Sequence, residues 1–320
     1  MTTFADLTSQ LRVPVLASPM FIVSTPDLVI AQCTAGIIGS FPALNARPQS
    51  ALHDWLKVIT TAREEHDREH PESPSAPFAV NLIVHRSNDR LKEDLATIVE
   101  FEVPIVITSL GARTDINDAV HAYGGIVLHD VIDNHFARKA VEKGADGLVA
   151  VATGAGGHAG RQSPFALIQE IRGWFTGPLL LSGAIAHGNS ILAALAAGAD
   201  LAYVGSAFIA TEEANADPSY KQMIVESRAS DIVYSNLFTG VHGNYLRGSI
   251  EAAGLDPENL AESDPSAMSF ATTDSNTKAW RDIWGAGQGI GTVNSVVPTR
   301  TLVERLTTEF DAARERICRR

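Results

Sequence analysis

The chain has 320 residues, 45% apolar and 19% charged, enough to bury one large core and too apolar for a disordered polymer. A formal net charge of −12 leaves no basic stripe for phosphates, which argues against nonspecific nucleic-acid binding. Cys33 and Cys318 are the only cysteines, so neither a disulfide framework nor a Cys-based metal site is expected, and a reducing compartment fits.

Met1 to Leu11 lacks the basic and apolar regions of a secretory leader, and a cytoplasmic location is expected. Gly173 to Ala199 carries no charged side chain, but Gly-Pro, Ser-Gly and His-Gly-Asn-Ser break it into strand, loop and helix rather than a membrane span.

In chain order, strand and helix patterns alternate. Val13 to Leu16 reads as a strand followed by the loop Ala17-Ser18-Pro19-Met20. Ser24 or Thr25 then caps a helix with Pro26 in its first turn. Gly36 to Ser40 is the second strand, a long helix runs from about Gln49 to Glu69, and His66 to Pro77 is a charged, proline-punctuated linker. The next strands are Phe78 to Leu82, Ile105 to Ser109, Ile126 to Asp130, Gly147 to Val151, Leu179 to Ser182 and Leu201 to Val204, separated by helical stretches. Gly-Ala-Asp ends a helix before a strand twice, at Gly144 to Asp146 and Gly198 to Asp200, as in a repeated βα unit. Apolar strands without alternation imply a parallel sheet covered by helices, and eight such units predict a (β/α)8 TIM barrel.

After Ala210 the pattern changes. Residues 211–275 are expected to form a mostly helical insertion or lid over the mouth, with residues 1–210 and 276–320 making the barrel and Thr299 to Arg316 its last helix. His242, Tyr245 and Arg247 stand among glycines there, where turn chemistry is the simpler reading and ligand contact the alternative.

The stretch Ala152 to Gly160 joins a buried strand to a helix through a glycine-rich loop carrying His158. Glycines permit positive φ and close backbone approach, and histidine is easily tuned to titrate near neutrality. A flexible turn whose histidine only hydrogen-bonds fits the loop alone equally well. In a barrel, chemistry gathers at strand C-termini, which here offer Met20, Asn81, His129, Gly156 to His158, Ser182 to Ala184, and Gly205-Ser206. The last two groups follow the seventh and eighth strands, where barrels bind phosphates on exposed amides, so a phosphate-bearing cofactor is expected.

Together these segments resemble the nitronate monooxygenase (2-nitropropane dioxygenase-like) family of FMN barrels. The resemblance runs through Ala17 to Met20, Pro77 to Leu82, Gly154 to Gly160, Leu181 to Ile185, Gly198 to Phe208 and Ala286 to Gly289, nearly the whole chain. It implies FMN phosphate on the amides of Gly183, Ala184, Gly205 and Ser206 and the flavin ring near Met20, Asn81 and Gln288. Ala17, His129, Gly156, Gly157 and Ser182 would line the cofactor, and His158 would be the catalytic residue. The implied reaction takes electrons from a nitronate to FMN and, with oxygen, releases a carbonyl compound and nitrite. Asp130 departs from relatives that carry a lysine near the flavin, and Ala184 replaces a glycine.

The same Gly-Gly-His-Ala-Gly segment resembles flavin-dependent enoyl-acyl-carrier-protein reductases, so an NAD(P)H-dependent reductase, including a quinone reductase, is the first alternative. A non-catalytic flavin or phosphate-ligand module is the second. No metal is expected, since His, Asp and Glu show no ligand spacing such as H-E-x-x-H. Small-molecule nitronate and oxygen are the expected partners, without nucleic acid or membrane, and a homodimer is open.

Overall fold

Strands buried on both faces need side chains inside and helices outside, and the computed structural model, which describes residues 3–263 and 282–319, meets both needs with a barrel. Its strands are β1 (Val15–Ala17), β2 (Gly39–Pro42), β3 (Phe78–Ile83), β4 (Ile105–Ser109), β5 (Ile126–Val131) and β6 (Gly147–Val151). The two-residue β7 (Gly157–His158) stays outside it, and β8 (Leu179–Ser182) and β9 (Leu201–Val204) complete it. The parallel order is β2-β3-β4-β5-β6-β8-β9-β1. A bridge between Leu16 and Ile38 brings β1 back to β2, with the Ala17 amide on the Ile38 carbonyl at 2.8 Å.

The helices between them are α1 (Phe4–Thr8), α2 (Pro26–Thr34), α3 (Ala51–Glu69), α4 (Leu91–Glu100), α5 (Thr114–His121) and α6 (Asn134–Glu142). They continue as α7 (Pro164–Arg172), α8 (Gly188–Ala196) and the single-turn α9 (Ser206–Ile209). The expected strand positions hold, with shifts only at the first two. Pro14 has no N–H to give to a ladder, and β1 starts after it. Gly36 sits at φ 90° with its amide on the Cys33 carbonyl, so it closes α2 and β2 begins later.

Alternation along the strands puts Ile105 and Ile107, Ile126 and Leu128, and Leu201 and Tyr203 on the barrel interior. Phe4, Leu7 and Leu11 pack under this interior cluster. The repeated Gly-Ala-Asp units act alike: Asp146 accepts the Val127 amide at 2.7 Å and Asp200 the Leu179 amide at 2.8 Å, each pinning the start of the neighbouring strand.

Beyond Ala210 come α10 (Pro218–Glu226), β10 (Ile232–Ser235), β11 (Gly243–Leu246) and α11 (Arg247–Ala252). The expected insertion therefore adds an antiparallel hairpin to its helices; residues 264–275 of it lie outside the described residues. β11 also pairs with β7, Gly243 opposite His158 and Asn244 opposite Gly157. The final helix, α12 (Thr299–Cys318), lies against α8 so closely that a Cβ on Gly188 would fall 2.1 Å from the Phe310 amide nitrogen. Among the described residues no helix is long and apolar enough to cross a membrane.

Candidate active site

The C-terminal ends of the strands open into one cavity of about 1660 Å³, larger than the roughly 300–1000 Å³ of ordinary small-molecule pockets. Met20, Asn81, His129, Gly156, Gly157, His158, Ser182, Gly183, Ala184, Gly205 and Ser206 all line it. Ala17 and Gln288 do not. Ala17 is fully buried in β1, its carbonyl accepting from the Ser40 hydroxyl. Gln288 is exposed at the start of the short turn Gln288–Thr292, but its amide donates to the Gly154 carbonyl at 2.9 Å. His187 caps α8, its Nδ1 accepting the Asn189 amide.

The glycine loop is held from three sides. Asn244 Nδ2 donates to the Ala155 carbonyl at 2.6 Å, the Ala184 amide to the Gly154 carbonyl at 3.1 Å, and the Gln288 backbone amide to the same Gly154 carbonyl at 2.9 Å. Gly154 adopts φ 80°, which suits glycine. A Cβ on Gly156 would lie 2.9 Å from both the Gly287 nitrogen and Ser206 Oγ. Glycine is thus required by space as well as by φ, and the loop is not a loose turn.

His158 follows in β7, where Nε2 lies 2.9 Å from Thr239 Oγ1. Thr239 Oγ1 also lies 3.0 Å from the Val241 carbonyl, an acceptor for its single proton. With that proton on the carbonyl, the threonine oxygen accepts from an Nε2–H of His158. Burial pushes the imidazole down to about 4, so His158 is neutral at pH 7. His129 is pushed down to about 4 by the same cause, with Nδ1 2.6 Å from Thr108 Oγ1.

Asn81, Ser109 and Asp130 form a chain across three adjacent strands at the inner rim. Asn81 Nδ2 donates to Ser109 Oγ at 2.6 Å, and Ser109 donates to Asp130 Oδ2 at 2.7 Å. Burial lifts Asp130 to about 6 and Tyr203, beside it on β9, well above its ordinary value. At the mouth, Arg161 meets His242 at 3.2 Å and His242 stacks on Tyr234. Of the glycine-rich trio singled out in sequence, only His242 lines the cavity; Tyr245 is buried and Arg247 pairs with Glu258 at 2.8 Å.

The donor set fits a flavin nucleotide. Positive φ at Gly183 (145°) and Ala184 (55°) shapes a backbone nest after β8, beside Gly205 and the first turn of α9. A Cβ on Gly205 would meet Ser18 Cβ at 3.2 Å and narrow that cradle. Asp130 Oδ1 is buried without a hydrogen-bond partner at the cavity floor. Among the described residues no group of His, Cys, Asp and Glu could hold a metal. Thr239, Asn244 and Ser109 escaped sequence reasoning, because each acts through a partner on another strand or in the insertion.

A protein-family model described as nitronate monooxygenase matches residues 41–309. A nitronate monooxygenase of Paraburkholderia phytofirmans is 26% identical over 95% of this chain and 94% of its own. A candidate monooxygenase of Mycobacterium tuberculosis is 29% identical over 65% of this chain, and the match spans only 60% of that protein. Among solved structures, a nitroalkane oxidase from Streptomyces ansochromogenes has a TM-score of 0.81 at 24% identity, covering 97% of this chain and 99% of that one. FabK from Thermotoga maritima has a TM-score of 0.76 at 23% identity, covering 98% and 97%. At those identities the structural likeness speaks for the barrel alone. Matched from the end of β2 into the last helix, the chain belongs to the nitronate monooxygenase family of flavin-dependent oxidoreductases.

Proposed function

We propose that the protein oxidises alkyl nitronates with oxygen to a carbonyl compound and nitrite, using FMN. The observation that carries this reading is one cavity combining an amide cradle after β8 and β9 with a neutral histidine. The amides of Gly183, Gly205 and Ser206 would take the phosphate, without any need for a cation. Ala184 supports the nest through its backbone conformation, since its own amide is engaged by Gly154. Met20, Asn81, His129, Gly156, Gly157 and Ser182 would border the ring, with Ala17 and Gln288 bracing the loops that carry them. FMN supplies the redox chemistry when bound.

The protein's part is positioning. His158, uncharged, meets the nitro group without forming a tight ion pair that would hinder product release. With a neutral nitroalkane, the unprotonated nitrogen of the imidazole takes the α-proton and the C–H electron pair passes into the nitro group, while Thr239 holds Nε2 in place. The hairpin paired to β7 screens this step from bulk water.

The test is an anaerobic spectrum of the FMN-loaded protein with nitronate and NADH in separate cuvettes. Flavin bleaching by nitronate, with no response to NADH, is the expected result. Bleaching by NADH alone moves the protein to the enoyl-acyl-carrier-protein or quinone reductase reading, and response to neither leaves a non-catalytic flavin module.

A further inference from the structure

The uppermost inward layer of the barrel is polar, and one atom in it lacks what the others have. Alternation along β5 places Ile126, Leu128 and Asp130 on the interior face, and Asn81 and Ser109 reach the same layer from β3 and β4. Asn81 is fixed by the Ile107 carbonyl at 3.0 Å and gives its second proton to Ser109; Ser109 gives its own to Asp130 Oδ2. Each donor in the chain is committed. Oδ1 is buried and has no partner. Buried polar atoms are nearly always hydrogen-bonded, so such an orphan marks a missing group.

The missing group is not a cation of the protein. From β9 the Tyr203 hydroxyl faces Asp130, from β6 come Val149 and Val151, and His129 on the other face of β5 is neutral. Nothing offsets the burial of the carboxyl except the Ser109 hydrogen bond. Below about pH 6 a carboxyl so placed is the neutral acid, and the neutral acid is a donor.

We propose that Asp130 is a cofactor-contacting residue, its Oδ1–H donating to an acceptor of the bound flavin, with Ser109 and Asn81 as the residues that position it. This rests on the flavin reading of the cavity and adds to it an uncharged donor at the position where relatives carry a lysine near the flavin. It also accounts for a carboxylic acid where a lysine would be expected: both are donors, but the acid carries no charge when it donates.

The experiment is titration of the FMN-free protein with FMN between pH 5.5 and 8, followed by quenching of flavin fluorescence. Wild-type affinity is expected to weaken progressively as the pH rises above about 6, where the free protein ionises Asp130. Asp130→Asn, an uncharged donor at every pH, is expected to bind with little pH dependence, and Asp130→Leu about tenfold more weakly than wild type at pH 5.5. Ser109→Ala removes the bond that favours the carboxylate, so the pH at which affinity begins to fall should rise, a shift that a merely structural serine would not cause. Asp130→Leu binding FMN like wild type, or Asp130→Asn keeping the wild-type pH profile, would overturn the proposal. Failure of the wild type itself to bind FMN would instead overturn the cofactor reading, and this inference with it.

Discussion

His158 Nε2 and Thr239 Oγ1 stand 2.9 Å apart, joining a histidine on the barrel's glycine loop to a residue between β10 and β11, 81 residues further along the chain. The Val241 carbonyl, 3.0 Å from the same hydroxyl, offers its proton an acceptor, which favours an Nε2–H on the imidazole. The pairing of β7 with β11 sets Gly243 opposite His158, and Thr239 stands in the turn that precedes β11.

Thr239→Val keeps the shape and removes the hydroxyl. A drop in kcat/KM of about tenfold is expected, mainly in kcat, because the imidazole can then adopt the wrong tautomer. Thr239→Ser should recover most of it. His158→Asn should cost about a hundredfold or more with a nitroalkane, whose proton must be taken, and less with a preformed nitronate. Steady-state rates on both substrates check this, and equal losses on the two would remove the proton-abstraction role.

Gly156→Ala tests the cradle. Its Cβ would come within 2.9 Å of the Gly287 nitrogen and Ser206 Oγ, so the 286–289 segment must withdraw from the loop. Overpacking of that kind costs about 1–3 kcal/mol. The expected outcome is at least tenfold weaker FMN binding with a lowered melting temperature. Unchanged affinity would mean that the 286–289 segment is not needed to hold the cofactor.

Asn244 is buried, donates to the Ala155 carbonyl at 2.6 Å, and accepts the Ala286 amide on its own carbonyl at 3.2 Å, so one residue joins three segments of the site. Asn244→Leu leaves the Ala155 carbonyl unsatisfied and should cost about 1–3 kcal/mol in denaturant unfolding. Limited proteolysis should then cut first within the 154–160 loop. Protection equal to wild type would show that the loop holds itself.

The barrel was legible because its strands are short apolar runs, and β4, β6, β8 and β9 begin and end where those runs do. The cavity residues followed from the rule that chemistry lies at strand C-termini, which located Asn81, His158 and the small residues after β8 and β9. What was not legible is pairing at long range. A two-residue strand, Gly157–His158, has no period to detect, and its partner Gly243–Leu246 lies far along the chain. Thr239 and Asn244 have no signature as residue types; only the fold gives them their roles. Asp130 was noticed as a departure from relatives, but its burial could not be read from a neighbouring histidine.

The stability of the cofactor-free protein should carry a signature of the site in its pH dependence, and the signs are opposed. His129 and His158 sit near 4 when folded and at 6.5 in the reference state. Between those values the unfolded chain binds more protons, so their contribution is complete above about 6.5 and is lost as the pH falls toward 4. Asp130 moves the other way, from 3.8 to about 6. Its contribution is complete below 3.8, is lost as the pH rises through 6, and leaves a buried charge above it. Asp130→Asn removes that charge. Its melting temperature should therefore exceed wild type by about 2–4 °C at pH 7.5, the shift expected for about 1 kcal/mol in a domain of this size or somewhat smaller, and the difference should vanish toward pH 4. Bound FMN should raise the melting temperature of both proteins, and that of wild type by less at pH 7.5 than at pH 5.5, because its affinity falls as Asp130 ionises. Calorimetry of both proteins, with and without FMN, reads all four values. A constant offset between wild type and Asp130→Asn at every pH would mean that Asp130 is ionised throughout, with its charge compensated inside the fold.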